Sequence, residues 1–304
     1  MNPLVVIKCL ALTSVALSMG GLLFATAGHA ADAPPPEDDT RWQLTFADEG
    51  DGEAGAAPDP TKWNHDVGGH GWGNAEPQTY TSPQHPAPGG LNAFYDGDGH
   101  LVLEARRENH TGPDGKAAEF TSARLKTQGI FSQTYGRFEA RIRLPQGQGI
   151  WPAFWMLGDN ITEIGWPDCG EIDIMEYLGH ELHRIHGTVH GPGYSGGDGI
   201  QATISIEEGR SYADGFQVFA VEWEPNEIRW YLNGEHYHTV TPEDLTNEDG
   251  TQDAWVFNTP HFLILNIATG GRWPGYPDET TPFPQRLLVD YVRVYRHADT
   301  PAEP

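Results

Sequence analysis

The octet Arg137-Phe-Glu-Ala-Arg-Ile-Arg-Leu144 alternates without a break: every odd position is charged and every even one apolar. Side chains on a strand point to opposite faces with period two, so this pattern predicts a strand with one wet face and one dry one. Related patterns recur at 100 to 106, 183 to 190, 216 to 224, 261 to 269 and 286 to 296. Residues 227 to 241 form a hairpin pattern folding back at Asn233-Gly234, a favoured two-residue turn. With 37 glycines and 24 prolines the chain has little room for long helices. The one helix signal is short: Thr241 as cap, Pro242 at the first position and Glu243-Asp244 at the positive end. These observations define an antiparallel all-β domain, either a closed barrel or a two-sheet sandwich. Periodicity does not choose between the two.

The ends of the chain carry different information. Lys8, the apolar small residues that follow and Gly28-His29-Ala30 read as an export signal over 1–30, cleaved after Ala30. A disordered, Pro-rich linker is expected at 31–40, one catalytic-sized domain at 41–297 and a frayed tail at 298–304. No later segment has the apolar length of a membrane span, so a secreted protein, extracellular or periplasmic and free of the membrane, is expected. A formal charge of −25 argues against nucleic acid as a partner, since phosphate binding needs concentrated positive charge. Of the two cysteines, Cys9 leaves with the signal, and Cys169 remains alone as an expected buried, inert side chain.

The most informative segment is Glu171-Ile-Asp-Ile-Met-Glu176. Three acids at this spacing are weak evidence alone, but Ile172, Ile174 and Met175 belong in a core, so the acids stand on a half-buried strand. Strict alternation places Glu171 and Asp173 on one face and drives Glu176 into the core, where an ionised carboxylate is costly. One extra residue, a β-bulge near Met175, returns Glu176 to the face of the other two. Retaining glycosidases hold two carboxyl groups about 5 to 5.5 Å apart, one attacking the anomeric carbon and one serving as acid and then base. A concave sheet would tilt the two glutamates to that separation, with Asp173 between them keeping their protonation states different. A flat strand spreads the three acids too far for one metal shell, so no cofactor is expected for catalysis. His180, His183, His186 and His190 lack the helical spacing of a zinc motif.

The segment resembles the signature of glycoside hydrolase family 16 in the bulged form of its laminarinases. Further segments are similar in order: Trp63, Gly73-Asn74 with Glu76, Thr121-Ser-Ala-Arg124, Tyr135 to Arg141, Gly149 to Leu157, Gly187 to His190, Asn266 with Gly270-Gly271, and Val289 to Tyr295. The resemblance implies an antiparallel two-sheet jelly-roll sandwich with a concave substrate cleft, Glu171 as nucleophile, Glu176 as acid/base and Asp173 as their assistant. It implies endo-hydrolysis of β-1,3-glucan, with Met175 favouring that linkage. Mixed β-1,3-1,4-glucan and a non-catalytic glucan-recognition role are the alternatives, and both glutamates being present favours the enzyme. A β-glucan chain is the expected partner of a monomer.

Trp151 and Trp155 lie an even number apart around the small Ala153, so both rings face one side and could stack on sugars. Trp166 and Trp72 are further platform candidates. Asn74, Glu76, Arg124 and Asn266 complete the expected substrate-binding set, and by the resemblance His190 reaches the sugar beyond the scissile bond. The resemblance also implies a structural calcium held by Glu49, Gly99 and Asp290. Alternation places Asp290 with Leu288, Val292 and Val294 on a face that should be buried, where a cation or hydrogen bonds would satisfy it.

Overall fold

The computed structural model describes residues 40–247 and 249–299. The expected signal at 1–30, nearly all of the linker and the end of the tail lie outside them. Two sheets face each other. The seven-stranded sheet runs Ile200–Ser205, Arg184–His190, Glu171–Glu176, Ile150–Gly158, His261–Thr269, Arg124–Lys126, Asn64–His65. The ten-stranded sheet runs Glu235–Val240, Glu227–Leu232, Phe216–Glu224, Gly136–Arg143, Gln285–His297, Leu101–Thr111, Ala117–Ser122, Gln78–Tyr80, with Trp42–Asp48 and Ala93–Tyr95 paired at its side. The sandwich, and not the barrel, is the outcome.

Every strand expected from alternation is present within a residue of its predicted bounds, except that the one expected at 100 to 106 runs on to Thr111. At the predicted hairpin Asn233 and Gly234 both take positive φ, 51° and 80°, the conformation that lets a two-residue turn follow the strand twist. The helix signal at Thr241 yields a single 3₁₀ turn, Pro242–Leu245, closed where the Thr241 N–H donates to Asp244 Oδ2 at 2.8 Å. One pairing departs from the antiparallel expectation: Gln78–Tyr80 lies parallel to Ala117–Ser122.

The core lies between the sheets. Phe154, Met156, Ile172, Ile174 and Met175 from one sheet meet Phe138, Ile142, Phe219, Trp223 and Trp230 from the other. Each such side chain contributes roughly 1.5 to 3 kcal/mol by leaving water. The opposite face of Gly136–Arg143 corrects the expectation of a wet surface, because Glu139 is fully buried and Arg137 nearly so. Arg137 bridges Glu139 at 2.8 Å and Glu222 at 3.1 Å, so the charges cover one another and only Arg143 remains exposed.

Candidate active site

The predicted bulge is present. Asp173 faces Trp155 and Met175 faces Phe154 on the neighbouring strand, so Ile174 is the extra residue and the register shifts between Asp173 and Met175. Consecutive Ile174 and Met175 therefore both enter the core, while Glu171, Asp173 and Glu176 all line one cleft on the outer face of the seven-stranded sheet. The cleft has a volume of about 980 Å³. The bulge is tied from the far side of the sandwich: Trp230, on the ten-stranded sheet, donates its indole N–H to the Asp173 backbone carbonyl at 2.8 Å.

Each glutamate is fixed by a tryptophan. Trp166 donates to Glu171 Oε2 at 2.6 Å, and Trp151 donates to Glu176 Oε1 at 3.2 Å. Thr188 donates to the other Glu176 oxygen at 3.3 Å. His190 pairs directly opposite Glu171 across the strands and brings its Nε2 to 3.3 Å from Asp173 Oδ2. Burial, then the neighbouring Asp173 charge, pushes Glu171 up to about 8 and Glu176 well above the carboxylate range. Burial likewise raises Asp173 to about 7, opposed by its hydrogen bond with Glu171. Three crowded carboxylates cannot all hold charge near neutral pH. Glu171 accepts one short indole bond, while Glu176 accepts two longer ones, from Trp151 and Thr188, so the two glutamates are held unequally.

These acids bind protons more tightly folded than unfolded, so from about pH 4.5 to 8 the native state holds more protons and its stability falls as pH rises. Glu171→Gln is therefore expected to melt above the wild type at pH 8, by about 1 to 2 kcal/mol once the partial exposure of Glu171 is discounted, and to lose that advantage near pH 5. Melting curves across that range check it, and a gap that widens toward pH 5 would refute it.

The cleft walls include the remaining sequence candidates, with more committed roles. Arg124 lies between two indoles, its guanidinium carbon 4.8 Å from the Trp72 ring centre and 4.7 Å from that of Trp155, and pairs with Asp66 at 2.9 Å. Asn266 is 6 % exposed, accepts from Trp155 at 2.7 Å and donates to Tyr80 at 3.2 Å, so it orients the wall. Glu76, whose pKa is raised by burial, accepts from Gln78, Tyr80 and Asn74. Trp166 is 48 % exposed above its hydrogen bond, while the Trp151 ring meets Trp273 edge-on at 5.2 Å. Trp273, Arg272 and Gln201 also line the cleft and were not anticipated as site residues. Cys169 is buried and its thiol is pushed up to about 11, first by burial, as suits an inert side chain.

The residues expected to hold calcium sit elsewhere. Glu49 accepts both of its hydrogen bonds from Arg293, at 2.9 and 2.8 Å, and Asp290 accepts from Arg141 at 2.8 Å. The Gly99 carbonyl lies so close to Gly50 that a side-chain carbon added there would come within 2.5 Å of it. The donors are the hard oxygens calcium prefers, but both acids already face guanidinium groups. Asp290 is also not on the buried face: a bulge between Val289 and Tyr291 hands the core from Leu287 and Val289 to Val292 and Val294. Its side chain is about one third exposed, so burial creates no demand for a cation.

A β-sandwich whose cleft holds two indole-bound glutamates flanking an aspartate on one bulged strand has the layout of a glycoside hydrolase. Residues 89–293 match the family described as glycosyl hydrolases family 16, and the chain belongs to that family. It is 46% identical over 258 residues to a beta-glucanase of Rhodothermus marinus, covering 84% of this chain and 85% of that protein. The laminarinase catalytic domain of Thermotoga maritima superposes with a TM-score of 0.75 at 48% identity, over 84% of this chain and 98% of that one. An endo-β-1,3-glucanase of Pyrococcus furiosus gives a TM-score of 0.76 at 47% identity, over 84% and 95%.

Proposed function

We propose that the protein is a retaining endo-β-1,3-glucanase with Glu171 as nucleophile and Glu176 as acid/base. The bulge at Ile174 carries this reading, because it gathers both glutamates and Asp173 in one cleft under unequal hydrogen bonding. In the first step a Glu171 oxygen bonds to the anomeric carbon as the glycosidic C–O bond breaks, and the Glu176 proton passes to the departing oxygen. In the second, Glu176 takes a proton from water, whose oxygen displaces Glu171 and restores the starting configuration. Asp173 shares a hydrogen bond with Glu171 and holds it toward the cleft.

The relatives' activity on β-1,3-glucan supports the same linkage here. Reducing-end release and product sizes on laminarin, curdlan, mixed-linkage glucan and agarose test it side by side. Laminarin and curdlan should give oligosaccharides of mixed length from internal cuts. Equal or better cleavage of mixed-linkage glucan would sink the strict linkage, and tight binding without cleavage would favour a glucan-recognition role. A monomer acting outside the cell suits a polymeric substrate and the export signal expected at 1–30.

A calcium ion at Glu49, Gly99 and Asp290 is a separate proposal, supported by three oxygen donors and opposed by the arginines on both acids. Occupation would require Glu49 to give up Arg293. Calcium at about 100 times its Kd would add roughly 2.7 kcal/mol of stability, seen as a higher Tm than in chelator and lost in Asp290→Asn. Identical melts in calcium and chelator would discard it.

A further inference from the structure

Glu171, Asp173 and His190 each present one donor atom, and the three lie within 4.8 Å of one another. The two acids come from one strand and the imidazole from its neighbour, where His190 faces Glu171 in the register. Two features set this group apart from a crowded acidic patch. Asp173 is 2 % exposed and its Oδ2 has no hydrogen-bond partner, since His190 Nε2, 3.3 Å away, is not aligned to donate to it. His190 Nδ1 is buried without a partner as well.

Tetrahedral zinc, with bonds of about 2.0 to 2.1 Å, spaces its donors roughly 3.3 Å apart. The Asp173 to His190 separation already has that value, and a Glu171 donor atom lies within 4.8 Å of both. Three protein ligands leave one position of a tetrahedral ion for water, and all three residues line the cleft. An imidazole with two carboxylates suits zinc or copper better than calcium or magnesium, which prefer oxygen alone.

We infer that Glu171, Asp173 and His190 form a binding site for a divalent transition-metal cation of the zinc and copper class, and that metal and glucan exclude one another there. The cation sits on the carboxylate expected to attack the sugar and fills the cleft at that point, so the inhibitory half of the inference rests on the proposed hydrolase reading. Gly199 leaves the room that the His190 ring occupies, since a side-chain carbon there would come within 2.4 Å of it.

Zinc chloride titrated calorimetrically into the full chain tests the binding half without any turnover. Wild type and Glu176→Gln should bind one zinc with equal affinity, because Glu176 is not a donor. His190→Gln and Asp173→Asn should each bind at least about tenfold more weakly, as expected for loss of a ligand, with melting curves confirming that both variants are folded. Laminarin added to Glu176→Gln, which keeps the donors but is not expected to turn over, should raise the apparent zinc Kd. In wild-type kinetics zinc should raise KM for laminarin and leave kcat unchanged. Unaltered zinc affinity in folded His190→Gln, or no binding below about 1 mM, a ceiling near 4 kcal/mol of affinity, would overturn the inference. Zinc bound and lost in His190→Gln by a protein that cleaves no glucan would leave the metal site standing and remove the hydrolase reading instead.

Discussion

Glu171→Gln and Glu176→Gln are each expected to lose about 10² to 10⁴-fold in kcat on laminarin, the range that general acid–base and nucleophilic groups supply. The amide keeps the size of each side chain and can still meet the Trp166 or Trp151 indole, so the fold should survive in both. What separates the roles is the response to the leaving group. An aryl glucoside needs little protonation to depart, so Glu176→Gln should still form the covalent intermediate rapidly on such a substrate, whereas Glu171→Gln should not. Azide, which needs no general base, should then rescue Glu176→Gln with a β-glycosyl azide as product. Near-normal turnover of laminarin by either variant would overturn the assignment, and azide rescue of the β-product in Glu171→Gln would exchange the two roles.

The second large effect is on stability. Trp230→Ala is expected to cost about 3 to 5 kcal/mol, the usual penalty for emptying a buried aromatic site. Trp230 is fully buried and ends on the Asp173 carbonyl, so its removal also strands a backbone acceptor inside the sandwich. The space cannot be refilled from the facing strand, which carries Gly187 there: a side-chain carbon added at Gly187 would meet the indole at 2.5 Å. For a domain of this size each kcal/mol moves Tm by about 2 to 4 °C, giving a fall of roughly 10 °C. Trp230→Phe keeps most of the volume and loses only the hydrogen bond, at about 1 to 3 kcal/mol. It should lower kcat more than it raises KM, because the bulge carrying Asp173 and Glu176 loses its anchor while the cleft walls stay. Thermal melts and steady-state kinetics check both, and a Trp230→Ala protein melting within about a degree of wild type would contradict the anchoring role.

The strands, the hairpin and the bulge were legible because each is written locally: alternation, a two-residue Asn-Gly turn, and apolar residues on both sides of an acid that alternation alone would bury. Met175 and Ile174 carry the bulge in the chain itself. Features that depend on distant strands were not legible. Trp230 lies 57 residues from Asp173 in sequence and on the other sheet, and nothing near either residue announces the contact. Trp166 was foreseen as a stacking platform but not as the hydrogen-bond donor to Glu171, five residues away. Glu139 looked wet because alternation cannot show that Arg137 would fold over it. Asp290 looked buried because another bulge, at Asp290 itself, reversed the faces, and the apolar residues on both sides of it fit unbroken alternation equally well. Asn266 and Arg124 line the cleft, but the hydrogen bonds and ring contacts that orient them there come from distant strands and could not be seen in the sequence.

Double displacement by Glu171 and Glu176 retains the anomeric configuration, and the anomer released first reports on it. Proton NMR of laminarin hydrolysis, recorded before mutarotation equalises the signals, should show the new reducing end appearing as the β-anomer, with the α-anomer growing in later. A new end that appears first as the α-anomer would mean single displacement by water, and no covalent role for Glu171.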